Sequence, residues 1–143
     1  MNLKRAGGAV LLLGVVAASP WMYSAFYVDY SDRAIVATAL AEQAAVKQQI
    51  EIGLRQGVRS AAASGVERTP LYTRVVDAGG NVALYIPKIN TTVVLTPVVN
   101  GQEVQWSCSG DVMKNLVTQC RRAMNPAALA SARHAKEEAG RAE

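Results

Sequence analysis

The feature that most constrains this chain is a run of 23 residues without a formal charge, from Ala6 to Val28. A helix needs about 20 predominantly apolar residues to cross the hydrocarbon core of a bilayer, so the run is long enough to span one. Lys4 and Arg5 precede it, and basic residues mark the cytoplasmic end of a membrane segment. The sequence therefore predicts a membrane anchor over residues 1–28, with the later residues outside the cytoplasm.

Three interpretations of this segment stay open. The first is a signal anchor that the mature protein retains. The second is a signal peptide, with Lys4-Arg5 as its charged region, Ala6 to Val16 as its apolar stretch and cleavage after Ala18. The third is a buried helix or another kind of processing. The first two interpretations both place the chain after about residue 30 in an oxidising compartment.

The compartment decides how the two cysteines, Cys108 and Cys120, are interpreted. A lone pair of cysteines in an oxidising space indicates a disulfide. Its thirteen-residue ring would add about 3 kcal/mol to stability in the chain-entropy model. The close Cys-x-x-Cys spacing that favours redox chemistry is absent. We expect the pair to be structural, and Trp106 to point into the core or to cover the disulfide.

An amphipathic helix is predicted over about Ser31 to Ser60. Gln43 and Lys47 interrupt its apolar face. We expect this face to pack on the helix's own domain, and packing against copies of the same helix is the alternative. The apolar residues recur at helical spacing in two adjoining rows, Val36-Leu40-Ala44 and Val46-Ile50-Leu54-Val58.

Four short β-rich runs follow Pro70, and the stretch just before Pro70 is predicted to be a loop. The runs are LYTRVV, VALYI, TTVVLTPVV and QEVQWSC. Residues 77–81 form a turn by composition, and Asn100-Gly101 is a strong hairpin signal. Pro97 has no N–H to donate, so its strand should be irregular or lie at an edge there. A helix followed by antiparallel strands predicts an α+β fold with the helix on one sheet face.

Less regular structure is expected beyond the strands. A helical turn inside a loop is predicted between Asp111 and Gln119. The Ala-rich sequence after Arg122 predicts a flexible or helical tail. The predicted organisation is an anchor over residues 1–28, an extracytoplasmic domain over 29–122 and the tail over 123–143.

Candidate catalytic groups are scarce. His134 is the only histidine, and it lies in the tail. With both cysteines paired, no thiol nucleophile or zinc cluster remains. Gly79-Gly80 fits a turn better than a phosphate cradle, because no helical pattern follows it. We therefore expect no enzyme activity, no cofactor and no metal site.

The charges offer one small candidate surface. The formal net charge of +4 equals the number of residues in the clusters Lys4-Arg5 and Arg121-Arg122. No basic stripe interleaved with aromatic residues is present, which argues against nucleic-acid binding. Lys114, Arg121 and Arg122 lie close in sequence to the cysteines and form a candidate positive partner surface around that loop; a solvated surface is the alternative.

Two stretches of the chain resemble type IV pilins. "DYSDRAIVATALAEQAAVKQQI" is similar to the pilin segment that follows the membrane helix, with its Asp-Tyr pair, an Arg three residues on and an Ala-Leu run. "GNVALYIPKINTTVVLTPVVNGQEVQWSC…CRR" is similar to the pilin sheet, with Leu-Thr-Pro in one strand, then Trp-x-Cys and a closing Cys-Arg. Together they span residues 29 to 121.

The resemblance implies a fold and a function. The fold is a long N-terminal helix, membrane-spanning and then amphipathic, packed on a four-stranded antiparallel sheet with a disulfide-closed C-terminal loop. The function is that of a subunit or minor component of a type IV pilus or related system, acting in adhesion, motility or uptake. The implied partners are other pilin subunits or pilus assembly proteins, met as a homo- or hetero-oligomer, and the lipid bilayer. The implied location is the bacterial inner membrane, with the domain in the periplasm, or an extracellular pilus.

The chain departs from pilins at its processing site. Pilins carry Gly-Phe followed by a Glu, whereas no Phe follows Gly7 or Gly8 here and no acid precedes Asp29. This favours an accessory role at least as much as that of a major subunit. The alternative function is a soluble periplasmic or secreted binding module, released by cleavage after Ala18.

Overall fold

The computed structural model describes residues 27–58, 65–111, 118–120 and 122–141. Within them, an antiparallel sheet lies between two helical layers, and the predicted α+β class is confirmed. Short 3₁₀ turns occur at Pro87–Ile89 and Thr118–Cys120. In chain order the elements are α1 (described over 27–41), α2 (Ala44–Arg55), β1 (Gly65–Arg68), β2 (Thr73–Val76), β3 (Val82–Ile86), β4 (Thr91–Asn100), β5 (Glu103–Gly110) and α3 (Pro126–Gly140).

The predicted membrane anchor, residues 1–28, lies outside the described residues except for its last two. Across the described ranges, no helix combines the length and the apolar content needed to cross a bilayer.

Over the described ranges the sheet has five strands in the order β1-β2-β3-β4-β5, so the predicted number of four is wrong. The missed strand is β1, which was predicted to be a loop. All four of its residues are exposed, so no apolar alternation marks it in the sequence. It is held instead by antiparallel pairing with β2, where Glu67 lies opposite Arg74 and forms an ion pair with it. Opposite charges on facing strands stabilise such a pair.

The β4–β5 hairpin confirms the hairpin predicted at Asn100-Gly101. Its loop lies one residue later, because Asn100 pairs with Glu103 and leaves Gly101 and Gln102 as the central residues. Gly101 has φ 64°, which matches the positive φ that a type II′ turn requires at its first central position.

Pro97 lies at an edge, as predicted. β3 ends opposite Leu95, so residues 96–100 of β4 pair with β5 alone. The missing N–H of Pro97 therefore costs no ladder hydrogen bond, since its nitrogen points away from β5.

The single helix predicted over Ser31 to Ser60 is wrong in two respects. It is broken at residues 42–43, where the N–H of Gln43 donates to the carbonyl of Leu40 at 3.1 Å in a tightened turn. Its second part ends at Arg55, after which Gly57 takes φ 67°. A left-handed residue just past a helix satisfies its last carbonyl groups and stops its propagation.

Buried Gln43 explains the break in the predicted apolar face. Its side chain is fully buried, and its Nε2 donates to the carbonyl of Ala39 at 2.8 Å. Its Oε1 accepts a hydrogen bond from Arg74 of β2 at 3.1 Å. A buried amide with both ends satisfied costs little, so this polar residue ties the helical layer to the sheet.

One face of the sheet packs against α1 and α2, as predicted. Leu84 and Ile86 of β3 are fully buried there beneath Val36 and Ile50 of the two helices. Residues at alternate strand positions share a face, so this layer takes every second residue of each strand. Its buried members are Val36, Ala39, Ile50, Tyr72, Val76, Val82, Leu84, Ile86, Val93, Leu95, Cys108 and Cys120.

The other sheet face is covered by α3, which lies in the segment predicted to be a flexible or helical tail. Asn125 caps the helix by accepting from the N–H of Ala128 at 2.8 Å, and Pro126 occupies its first turn. Small residues face the sheet, so the helix approaches it closely. The apolar layer consists of Val75, Ala83 and Val94 from the strands and Ala128, Ala132 and Ala135 from α3.

The predicted turn after β2 is confirmed, and its glycines have a structural role. Gly80 has φ 81°, which side chains rarely adopt, and an added Cβ would meet Cγ2 of Ile50 at 3.0 Å. The turn therefore packs directly on α2.

Asp77 at the start of this turn also holds α3. Its Oδ1 accepts from the N–H groups of Gly79 and Asn81 at 2.8 and 2.9 Å. Its Oδ2 accepts from Asn81 Nδ2 at 2.8 Å and from Ser131 Oγ of α3 at 2.6 Å. Burial acts to raise the pKa of Asp77, but these hydrogen bonds outweigh it and hold the pKa below its ordinary value.

Replacing Asp77 by Asn should reduce the change in the free energy of unfolding between neutral and acid pH. Because the folded-state pKa is depressed, the ionised carboxylate stabilises the fold above its unfolded pKa of about 3.9. That contribution is lost as the pH falls through the folded-state value. Chemical unfolding at about pH 7 and about pH 2 measures the difference, and the variant should lose about 2 kcal/mol at neutral pH. The control is Glu103→Gln, which alters an exposed carboxyl. Equal pH slopes for the Asn variant and the parent would contradict the assignment.

Candidate functional site

The predicted disulfide is present between Cys108 and Cys120, whose Cα atoms lie 4.5 Å apart. Cys108 is on β5 and Cys120 ends the 3₁₀ turn at Thr118–Cys120. Both sulfur-bearing residues are buried in the helix-facing core. The bond therefore fastens the chain after β5 to the sheet, as the sequence predicts.

Backbone pairing continues this attachment just beyond the disulfide. Arg122 forms a parallel bridge with Ser109, and the N–H of Gly110 donates to the carbonyl of Arg122 at 3.2 Å. The chain thus covers one end of the outer edge of β5.

Trp106 packs against the helix-facing core, as predicted, and it is also held by polar contacts. Its Nε1 donates to Glu51 Oε1 of α2 at 2.7 Å. Lys47 Nζ lies 5.2 Å from the centre of its ring. Lys47 and Glu51 are four residues apart and share one helix face, so α2 holds the indole from two sides. Lys47 therefore interrupts the apolar stripe in order to cover this ring.

A groove lies beside the disulfide, between the helices and β5. Its cavity of about 460 Å³ has Leu95, Trp106 and Cys108 as its floor and Lys47 and Arg122 among its lining residues. The floor is apolar and two of the lining side chains are cationic. Such a combination favours a ligand that carries both apolar groups and negative charge.

Only one residue of the predicted partner surface can be located. Arg122 is exposed at this groove, whereas Lys114 and Arg121 lie outside the described residues. The structure adds Lys47, which the sequence placed on the interrupted face of a helix. The i, i+4 spacing of Lys47 and Glu51 was visible in the sequence, but their meeting with Trp106 depends on the tertiary fold.

The groups considered for catalysis are not brought together. His134 is exposed on α3, on the far side of the sheet from the disulfide. Within the described ranges, no three His, Cys, Asp or Glu side chains are placed to hold a metal ion.

No protein-family model, curated protein or solved structure matches this chain.

Proposed function

We propose that this chain is a pilin-like structural protein, a subunit or accessory component of a type IV pilus or related system. Its N-terminal helix holds it in the bacterial inner membrane or packs against neighbouring subunits. The disulfide-closed domain is displayed outside the cytoplasm. The proposal joins the sequence resemblance to one observation at the first described residues of α1.

That observation is the exposure of large apolar residues at the first described positions of α1. Tyr27, Val28 and Tyr30 are 65%, 57% and 74% exposed. No residue from 27 to 34 is buried, and the helix first packs on the core at Ile35. Exposed aromatic residues suit a membrane interface or a contact with another helix.

The sequence before residue 27 strengthens this proposal. The uncharged run from Ala6 leads directly into Tyr27 and Val28, so the exposed aromatic residues continue an apolar segment. Within the described residues, the segment 27–34 of α1 contributes no residue to the core, which favours contact with lipid or with other helices. The domain itself supports the resemblance through α1 and α2 on an antiparallel sheet and a disulfide after β5.

Photo-cross-linking in living cells tests this role. A photoreactive amino acid at Tyr30 should capture another membrane-embedded chain, because this side chain points away from its own core. The matched control is the same amino acid at Leu129, which is 42% exposed on α3 at the other side of the sheet. Equal capture from both positions, or none from Tyr30, would contradict an assembly role for α1.

A further inference from the structure

We propose that the outer edge of β5 binds an extended, acidic segment of another protein as an added strand. This surface, which we name the β5 edge, consists of the outward-facing backbone groups of Val104 and Trp106. The inference concerns a different part of the molecule from α1 and does not depend on the proposed function.

The strand register shows which backbone groups face outward. Asn100 and Glu103 flank a two-residue hairpin loop, and such residues form a hydrogen-bonded pair. Hydrogen-bonded and non-hydrogen-bonded pairs alternate along an antiparallel ladder. The odd-numbered residues of β5 therefore bond to β4, and the even-numbered ones point outward. Gly110 confirms this parity, because its N–H reaches the carbonyl of Arg122 on the outer side.

Part of this edge has no partner among the residues that the structure describes. The attached chain at Arg122 covers the end near Gly110. In the part of the chain that the structure describes, no hydrogen bond satisfies the outward N–H and C=O groups of Val104 and Trp106. Natural proteins usually cover or blunt such an edge, because it is a template for another strand.

The space beside the edge is a partly apolar groove on the α2 side. A second cavity of about 350 Å³ lies next to Val104, lined by Leu54 and Arg55 of α2 and by Val99. The cavity at Trp106 and Cys108 continues along the same strand. The side chains of the even-numbered residues of β5 lie on the α2 side of the sheet. A strand added to β5 would therefore place every second one of its own side chains in this groove.

Three cationic side chains lie along the groove and favour an added strand that carries negative charge. Arg55 lines the cavity at Val104, Lys47 lies over Trp106, and Arg122 lies at the Cys108 end. Among the described residues, none of the three pairs with a carboxylate. The nearby Glu51 already accepts a hydrogen bond from Trp106. Carboxylates on alternate residues of a bound strand would meet these cations.

A peptide fits these features better than a nucleic acid. The edge offers alternating donors and acceptors, which main-chain strand addition requires and a phosphate backbone does not match. Lys47 covers one face of the Trp106 ring, and the ring packs against the core, so it offers no platform for base stacking.

Binding of a short, end-blocked peptide of alternating Glu and Thr tests the proposal with the full-length protein in detergent micelles. Hydrogen exchange measured by NMR should slow at the Val104 and Trp106 amides by about tenfold or more when the peptide saturates. The matching Lys and Thr peptide should leave both amides unchanged. Equal protection by both peptides, no protection at millimolar concentration, or tighter binding of a single-stranded oligonucleotide would overturn the proposal.

Two further measurements separate strand addition from loose charge attraction. The first uses two methylated peptides, one with N-methyl groups on all its Glu residues and one with them on all its Thr residues. Only one of the two should lose binding, because alternate N–H groups of an added strand face β5. The double variant Arg55→Glu, Arg122→Glu should bind about tenfold more weakly or worse. Arg133→Glu, an exposed change on α3, should bind as the parent does. If both methylated peptides bind, or if the double variant binds normally, the proposal is wrong.

Discussion

Replacing Cys108 and Cys120 by Ala should lower the free energy of unfolding by about 3 kcal/mol. The disulfide closes a ring with a sequence separation of 12, and its loss returns loop entropy to the unfolded chain. It also releases the chain that covers the end of β5, where Arg122 pairs with Ser109. Denaturant unfolding of the two proteins at the same pH measures the difference.

The control for this variant changes two neighbours and keeps the bond. Ser107→Ala with Gln119→Ala alters side chains at the same groove without touching the sulfur atoms. It should stay within about 1 kcal/mol of the parent. A cysteine variant as stable as this control would mean that the disulfide does not stabilise the fold.

Replacing Ala135 by Glu should destabilise the protein by about 3 kcal/mol or more. Ala135 is fully buried between α3 and the second sheet face, against a layer that includes Val75 and Val94. A carboxylate there loses its water and finds no partner in the apolar layer, and the larger side chain also pushes the helix away from the sheet.

Ala130→Glu is the matched control, because it makes the same change at an exposed position of the same helix. Its effect should stay within about 0.5 kcal/mol. Thermal or denaturant unfolding compares the two variants. Similar stability of both would show that α3 does not pack on the sheet in solution.

The sequence predicts the strands of the sheet well where apolar residues and turn residues alternate. β3 and the β4–β5 hairpin lie where the runs VALYI, TTVVLTPVV and QEVQWSC place them. β1 was not predicted, because its sequence, GVER, shows no apolar alternation. Its strand conformation depends on the pairing with β2. A strand held by its neighbour leaves no local pattern to detect.

The sequence contains two features that indicate a cover on the second sheet face. β3 reads as a continuous apolar run rather than an alternating one, which is typical of a strand buried on both faces. Asn125-Pro126 also forms a helix start, with a capping residue before proline. Together they indicate that a helix after Arg122 would cover the face opposite α1 and α2.

The candidate site could be predicted only in part. The disulfide was predicted from the number of cysteines and from the expected oxidising compartment. Gln43 and Lys47 were visible as interruptions of an apolar face, but their partners Arg74 and Trp106 are distant in sequence. A polar residue on a buried face is a sign of a tertiary contact, although the sequence does not name the contact.

The proposed function requires that the exposed apolar residues at the first described positions of α1 meet a membrane or another chain, and capture from Tyr30 in intact cells tests this most directly. The predicted result is a cross-linked product that stays with the membrane or filament fraction and contains a second apolar helix. A released, uncross-linked protein whose first residue is Ser19 would contradict the account.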